Sequence, residues 1–331
     1  MTRRQFIAML GSGAAAWPVV ARAQQSDRMR RIGALMGGDE NDAQLNARLS
    51  EFMKGLAELG WRDGRNLQID VRWGGADADR MRMSAKELVA LQPDVILAQG
   101  TAPTAALQRE TRTIPIVFAG AADPVGDGFV ASLARPDGNI TGFINIEPEM
   151  GGKWLQLLTE IALRIKRVAI MFNPDTAPGG GSYYLLSIEA AARSLKVEPI
   201  VTPVHSDAEI ATVMASLGRE PGAGIVVMTD PFMVVHRRPI ISLAARYNVP
   251  AVYANIIFAR DGGLLSYGSD RVESFRRLAS YVSRVLRGEK PADLPVQLPT
   301  KFEMAVNVKT AKGLGLTVPQ SILLRADEVI E

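Results

Sequence analysis

The chain has 331 residues, no cysteine, and 38 Lys and Arg residues against 35 Asp and Glu residues. Without cysteine it cannot form a disulfide framework, a thiolate metal site, a cysteine nucleophile or a lipid anchor at a cleavage-point cysteine. The three excess positive charges all lie within the first 23 residues, so the rest of the chain balances 35 basic against 35 acidic residues. This balance argues against a nucleic-acid-binding or anionic-membrane-binding surface.

The first 23 residues have the three parts of a secretory signal peptide. A basic start is followed by an apolar stretch over 6–20 and by the small-residue site Ala21-Arg22-Ala23. The apolar stretch is interrupted by glycine and proline and is too short to span the roughly 30 Å hydrocarbon core of a membrane. We therefore predict a signal peptide over 1–23 and a soluble periplasmic protein without a lipid anchor.

The paired arginines bear on the export route. Arg3 and Arg4, followed by Gln5 and Phe6, resemble a twin-arginine signal, whose pathway carries folded cargo. Arg22 supports this interpretation, because a positive charge beside the cleavage site hinders export of an unfolded chain. An ordinary Sec signal that happens to carry two arginines is the alternative.

Beyond the signal, apolar strands alternate with amphipathic helices. In the first half the sequence predicts strands over 31–36, 67–73, 94–99 and 114–119, with helices between Asp42 and Gly60 and over 79–91 and 102–111. In the second half the predicted helices are 151–163, 182–195, 207–217, 231–247 and 271–287. The strands predicted there are 168–172, 197–202, 224–229, 249–254, 263–267 and 302–307.

This alternation is typical of parallel sheets with helices on both faces. We predict an α/β fold with two Rossmann-like lobes, joined by a multi-crossing hinge. Residues 29–142 plus about 264–297 are assigned to lobe 1, and residues 143–263 plus about 298–331 to lobe 2. The crossings are expected near 119–146, 254–266 and 290–300, where glycine, proline and short polar residues collect.

The sequence offers no assembled catalytic cluster. It has no G-x-S-x-G elbow, no G-x-x-x-x-G-K-[ST] phosphate loop and no H-E-x-x-H pair. Asp39 and Glu40 in the first strand-to-helix turn would repel a pyrophosphate. The two histidines, His205 and His236, lie in unrelated elements. We predict a binding protein rather than an enzyme, with no metal and no cofactor.

Three stretches carry a family resemblance that covers nearly the whole chain beyond the signal. They are 123–142 (DPVG through LARPDGNITG), 261–268 (DGGLLSYG), and PTKFE at 299–303 with LGLTVP at 314–319 and RADEVI at 325–330. Together they resemble the periplasmic substrate-binding proteins of ABC transporters, in the group typified by tryptophan- and tyrosine-binding members. The resemblance implies a type I periplasmic-binding fold, a small ligand in the cleft between two lobes, delivery to an ABC permease in the inner membrane, and a monomer.

Ligands of open α/β sheets bind beyond the carboxyl ends of the strands, where helix N-termini converge. The predicted strand ends, the crossing and two strand tyrosines give the candidate ligand-binding residues. These are Met36, Gly37, Gly100, Thr101, Asp123, Asn173, Thr229, Asp230, Tyr253 and Tyr267. For an amino-acid ligand, Thr101 and the adjacent amides are expected to hold the carboxylate, and Asp230 the ammonium group.

Each candidate also has a structural alternative. Thr101 and Asp230 are suited to cap helices, the latter with proline at the first helical position. Asp123 and Asn173, each before proline, are typical turn residues. Tyr253 and Tyr267 could be core aromatics, and Gly37 and Gly100 are needed for tight turns whether or not a ligand approaches.

An aromatic amino acid or a related carboxylate is the leading ligand. The segment 173–184, with three consecutive glycines and Tyr183-Tyr184, does not match the family pattern and adjoins the predicted cleft. Two other classes stay open at this point: a ligand sensor for a membrane receptor, and a periplasmic enzyme exported by the twin-arginine route.

Overall fold

The computed structural model describes residues 28–75 and 77–331. The predicted signal peptide, including Arg3, Arg4 and Arg22, lies outside the described residues. No helix of the described part of the chain is long and apolar enough to cross a membrane.

The first sheet has five parallel strands in the order β2-β1-β3-β4-β5. The strands are β1 (Arg30–Met36), β2 (Leu67–Trp73), β3 (Val95–Gln99), β4 (Ile116–Ala121) and β5 (Ile140–Ile144). The helices between them are α1 (Ala43–Glu58), α2 (Ala78–Ala90) and α3 (Thr101–Glu110). Because all five strands are parallel, their carboxyl ends meet at one edge of the sheet.

The second sheet has seven strands in the order β12-β11-β10-β9-β8-β6-β7. They are β6 (Arg167–Phe172), β7 (Glu198–Pro203), β8 (Ala223–Val227), β9 (Ala251–Tyr253), β10 (Leu265–Ser269), β11 (Phe302–Asn307) and β12 (Glu328–Ile330). Every neighbouring pair is parallel except β10 and β11. The predicted α/β class with two mostly parallel sheets is confirmed.

Nine α-helices accompany this second half of the described chain. They are α4 (Met150–Ile161), α5 (Ser182–Leu195), α6 (Asp207–Leu217), α7 (Pro231–Val235), α8 (Arg237–Arg246), α9 (Ile256–Arg260), α10 (Arg271–Leu286), α11 (Val308–Gly313) and α12 (Gln320–Leu323). Helix α10 returns to the first sheet, where it packs beside α1. A Cβ atom at Gly55 of α1 would lie 2.9 Å from the Arg276 carbonyl oxygen of α10.

Each sheet is buried on both faces by apolar side chains. In the first sheet, one face packs against α1 and α10 around Phe52 and Leu278, and the other against α2 and α3 around Leu88 and Leu107. In the second sheet, α4 and α5 cover one face around Trp154, and α6 and α8 cover the other. The continuous apolar strands that predicted this arrangement are typical of parallel sheets covered on both sides.

Three element predictions differ from the structure, and four short elements, α9, α11, α12 and β12, were not predicted. Strand β5 lies inside the segment 119–146 that was predicted as a hinge, because glycine and proline on both sides hide its short apolar run. The single predicted helix 231–247 is two helices that meet at His236. Strand β10 pairs in the second sheet, although 264–297 was assigned to lobe 1.

The chain passes between the two sheets three times, after β5, between β10 and α10, and before β11. The three crossings lie side by side and are tied together. The Ser269 hydroxyl donates to the Asn145 carbonyl, and the Lys301 ammonium lies 2.9 Å from the Asp270 carboxylate. The first and third crossings overlap the predicted ones, and the second comes after β10 rather than within 254–266.

Candidate functional site

The carboxyl ends of β6 and β8 are neighbours, and this brings three predicted residues together. Asn173 follows β6, while Thr229 and Asp230 follow β8, and all three side chains are buried. The Asn173 N–H group donates to Asp230 Oδ2 at 3.1 Å. These three residues, which were selected because they follow predicted strands, therefore lie next to one another at the carboxyl edge of the second sheet.

Hydrogen-bond donors from the same half of the molecule occupy the carboxylate of Asp230. Its Oδ1 atom accepts from the Met233 N–H group at 2.8 Å and from the Thr176 hydroxyl at 3.1 Å, in addition to the bond from Asn173 to Oδ2. Burial raises the pKa of this carboxyl, although the N–H groups of Met233 and Asn173 act in the opposite direction. Asp230 is the N-cap of α7, with Pro231 at the first helical position, as the structural alternative predicted.

Thr229 connects this edge to the first sheet. Its hydroxyl oxygen accepts from Arg271 Nη2 at 3.1 Å. Arg271 is the first residue of α10, the helix that packs beside α1 on the first sheet. The contact therefore ties the start of α10 to the carboxyl edge of the second sheet. The region between the carboxyl edges of the two sheets is called the cleft below.

The first sheet contributes two tight turns to the cleft. Gly37 is exposed, and its N–H group donates to Gln99 Oε1 at 2.9 Å. Gly100 has a φ of +95°, which favours glycine, and its N–H group donates to the Ala119 carbonyl. Helix α3 begins at Thr101 with Gly100 as its N-cap and no side-chain cap, so the suggested capping role of Thr101 is wrong. The Thr101 side chain is exposed at this helix start.

Asp123 lies at the end of β4 in a turn, as its position before proline predicted. Its Oδ1 atom accepts from the Gly126 N–H group at 2.9 Å. Burial raises the pKa of Asp127, and the neighbouring Asp123 charge raises it further. The pKa of Tyr184 is raised mainly by burial, and the negative charge of Asp123 makes a smaller contribution in the same direction.

Three predicted residues lie apart from these polar groups. Met36 is wholly buried among the side chains beneath α1. Tyr253 is 1% exposed and stacks on Phe258 in the core of the second half. Tyr267 is half-buried, stacks on Phe302, and uses its carbonyl to accept from the Trp154 indole N–H at 2.7 Å. Tyr253 is therefore a core aromatic, as the structural alternative predicted.

Sequence reasoning did not select three cleft residues that the structure brings out. Arg48 and Arg271 lie on amphipathic helices, where an arginine ordinarily faces solvent and gives no motif signal. Tyr184 had a weak signal, since Tyr183-Tyr184 adjoined the predicted cleft and departed from the family pattern. In the structure Tyr184 is wholly buried, with edge-on contacts to Trp154 and Tyr183.

A further acid lies at the same edge of the second sheet. Glu303 is half-buried at the start of β11, the strand that runs antiparallel to β10. Burial and the neighbouring Asp270 raise the pKa of Glu303 to about 7. No group of three or more acidic or histidine side chains in the described part of the chain is arranged to hold a metal ion.

Two mostly parallel α/β layers whose carboxyl edges face each other across polar residues define the class of two-lobed solute-binding proteins. The chain belongs to the ABC transporter substrate-binding protein family, whose model matches residues 40–330. Members of this family bind small-molecule ligands and work with an ABC permease. Its fold is that of the type I periplasmic binding proteins.

The relatives agree with this assignment. The tyrosine-binding protein of Clostridioides difficile strain R20291 is 26% identical over 269 residues, covering 80% of this chain and 75% of that protein. The fold is similar to a Streptococcus pneumoniae ABC domain in complex with L-Trp, with a TM-score of 0.82, 24% identity, and coverage of 91% and 99%. It is also similar to a conserved domain protein from Vibrio cholerae, with a TM-score of 0.80, 24% identity, and coverage of 91% and 100%.

Proposed function

We propose that this chain is the periplasmic solute-binding component of an ABC importer and captures an aromatic amino acid or a related carboxylate. The observation that carries the proposal is the cleft, where Arg271 donates to Thr229 and the buried Tyr184 hydroxyl has no hydrogen-bond partner among the described residues. The tyrosine-binding relative and the L-Trp complex support an aromatic ligand. The two sheet layers act as lobes, and the liganded chain delivers its cargo to a permease.

Export to the periplasm rests on the N-terminal sequence. The basic start, the apolar stretch and the site ending at Ala23 support cleavage there, and Arg3-Arg4 supports the twin-arginine route. N-terminal sequencing of the exported protein should begin at Gln24. Replacement of both arginines by lysine should leave precursor in the cytoplasm, and unchanged export of that variant would indicate the Sec route.

A thermal-shift screen of the chain from Gln24 onwards tests the ligand class. The panel contains amino acids, aromatic acids, sugars and polyamines. A ligand at 100 times its Kd stabilises the folded state by about 2.7 kcal/mol, so L-Tyr or L-Trp should raise the melting temperature measurably. Isothermal titration then gives the affinity. If only sugars raise the melting temperature, the aromatic-ligand proposal is contradicted. If no compound in the panel raises it, binding of any of these classes of solute is contradicted.

A further inference from the structure

Glu303 lies where the second and third crossings meet. In the antiparallel pairing of β10 and β11, Glu303 is opposite Gly268. The pairing continues beyond the two strands, because the Asp270 N–H group donates to the Lys301 carbonyl at 3.0 Å. The segment that contains Lys301 and Glu303 is therefore held extended against the segment that leads into α10.

Lys301 and Glu303 are two positions apart in this extended segment. Side chains at such positions lie on the same face of a strand, roughly 7 Å apart. The exposed Lys301 ammonium group lies 2.9 Å from Asp270 Oδ2, and this ion pair is the side-chain tie between the second and third crossings. Glu303 is thus a second acid within reach of a single ammonium group.

Other charged groups of the second half surround Glu303 but are engaged elsewhere. Arg260 of α9 pairs with Glu328 of β12 at 2.8 Å, and the Asp327 carboxylate accepts from the Met304 N–H group at 2.8 Å. Glu303 itself is half-buried. Among the described residues, none donates a hydrogen bond to its carboxylate or forms an ion pair with it.

Two arginines of the first sheet's helices also lie near Glu303. Arg271 directly follows Asp270, and Arg48 lies on α1 about two turns before Gly55, where α1 contacts α10. Both donate to uncharged side-chain oxygens. Burial lowers the pKa of both arginines, and the negative charge of Glu303 acts in the opposite direction. Glu303 is therefore surrounded by charges while its own carboxylate lacks a partner among the described residues.

The protonation of Glu303 is balanced near neutral pH. Burial raises the pKa of its carboxyl from 4.5 to about 7; Asp270 and Asp327 act in the same direction, while Arg260 and Lys301 oppose them. Because the folded chain has the higher pKa, it binds the proton more tightly than the unfolded chain does. The resulting stabilisation is complete below pH 4.5 and is lost as the pH rises to about 7.

Going beyond the proposed function, we propose that Glu303 is a proton-operated switch of the hinge, which acts through the Lys301 ammonium group. When Glu303 is protonated, Lys301 stays with Asp270, and the second and third crossings remain tied. When Glu303 is ionised, it competes with Asp270 for Lys301, so the tie loosens and the two halves sample a wider range of separations. The switch needs no ligand, so the empty chain suffices to test it.

Pulsed electron paramagnetic resonance between two spin labels measures that range of separations. The chain has no cysteine, so Lys86→Cys on α2 and Ala190→Cys on α5, both at exposed positions, give one label in each half. In the ligand-free chain from Gln24 onwards, the distribution of label distances should be broader at about pH 8.5 than at about pH 5.5. The midpoint of the change should lie near pH 7.

Three variants of the labelled chain separate the groups. Glu303→Gln resembles the protonated acid and should give the narrow distribution at both pH values. Lys301→Met lacks the shared ammonium group and should give the broad distribution at both. Glu149→Gln is the matched control, because it removes an exposed glutamate close to the first crossing that has no ion pair among the described residues. It should keep the pH dependence of the parent.

Chemical denaturation of the same proteins checks the titration without reference to the hinge. The free energy of unfolding of Glu303→Gln should exceed that of the parent by an amount that grows between pH 4.5 and about 7 and is constant above. The measurement also establishes that each variant is folded. A difference that does not change with pH would overturn the role of Glu303 as the titrating group.

The outcomes of the distance measurement decide the rest. Identical parental distributions at both pH values, or a Glu303→Gln variant that keeps the parental pH dependence, would overturn the switch. A Lys301→Met variant that responds to pH like the parent would overturn the competition for Lys301. These results would leave solute binding standing. Conversely, failure of L-tyrosine to bind would contradict the proposed ligand and leave the switch standing.

Discussion

At the residue scale, Asp230 accepts hydrogen bonds from three donors and so ties together the loops that follow β6 and β8. The expectation that ligands bind beyond the carboxyl ends of parallel strands predicted Asn173, Thr229 and Asp230, because parallel topology alone brings their backbones together. It could not tell which way a side chain points in a strand of only three residues, and Tyr253 turns into the core. It also gave no reason to select Arg48 or Arg271, since burial of a helical arginine depends on which helix packs beside it. That packing is a tertiary property with no signature in a single sequence.

The role of Asp230 gives the first test at this scale. We expect Asp230→Asn to lower the free energy of unfolding by about 1–3 kcal/mol, because an amide has one acceptor oxygen where three donors now converge on two. Chemical denaturation measures the change. The affinity for L-tyrosine should change little, because three donors of its own half occupy the Asp230 carboxylate.

Asp42→Asn is the matched control for this prediction. Asp42 is the N-cap of α1 and accepts only from the N–H groups of Gln44 and Leu45. Asparagine caps helices about as well as aspartate, so this variant should be nearly neutral. Equal stability of the Asp230 and Asp42 variants would show that the cross-loop bonds of Asp230 contribute nothing.

At the element scale, most helices and strands could be predicted from their apolar periodicity, because each buries one face or both against a sheet. The exceptions were short elements such as β5, β12 and α12, where three to five residues carry too little pattern. The loop before α5 was recognised as glycine-rich, but its function required the structure. Gly179, Gly180 and Gly181 have φ values of +57°, +60° and +94° and place Tyr183 and Tyr184 at the cleft.

In this loop, alanine substitutions at Gly180 and Gly181 should destabilise the protein to different extents. At Gly181 a Cβ atom would lie 2.2 Å from the Phe172 ring, and the positive φ adds strain. At Gly180 the nearest atom is the Pro174 carbonyl oxygen at 3.8 Å, so only the strain of about 1–2 kcal/mol applies. We expect Gly181→Ala to lower the melting temperature clearly more than Gly180→Ala and to weaken L-tyrosine binding by displacing α5. Similar melting temperatures and affinities would contradict the proposed role of Gly181.

At the scale of the whole molecule, two sheets predicted from alternating strands and helices are present, and two of the three predicted crossings overlap the observed ones. The second crossing was placed too early because Asp261-Gly262-Gly263 resembles a hinge in sequence, whereas it is the turn that leads into β10. Which strand joins which sheet depends on pairing partners far away in the chain, and local composition does not contain that information.

The three crossings predict how the molecule responds to its ligand. They lie together, tied by Ser269 to Asn145 and by Lys301 to Asp270, so they can bend as one hinge. Arg271 and Thr229 link the start of α10 to the carboxyl edge of the second sheet, and a ligand bound in the cleft adds hydrogen bonds to both halves. Small-angle X-ray scattering should therefore show a smaller radius of gyration with saturating L-tyrosine than without ligand, as hinge closure requires. A compound that gives no thermal shift, at the same concentration, is the control and should leave the profile unchanged. If saturating L-tyrosine also leaves the profile unchanged, the two halves form a rigid scaffold, and capture does not depend on closure.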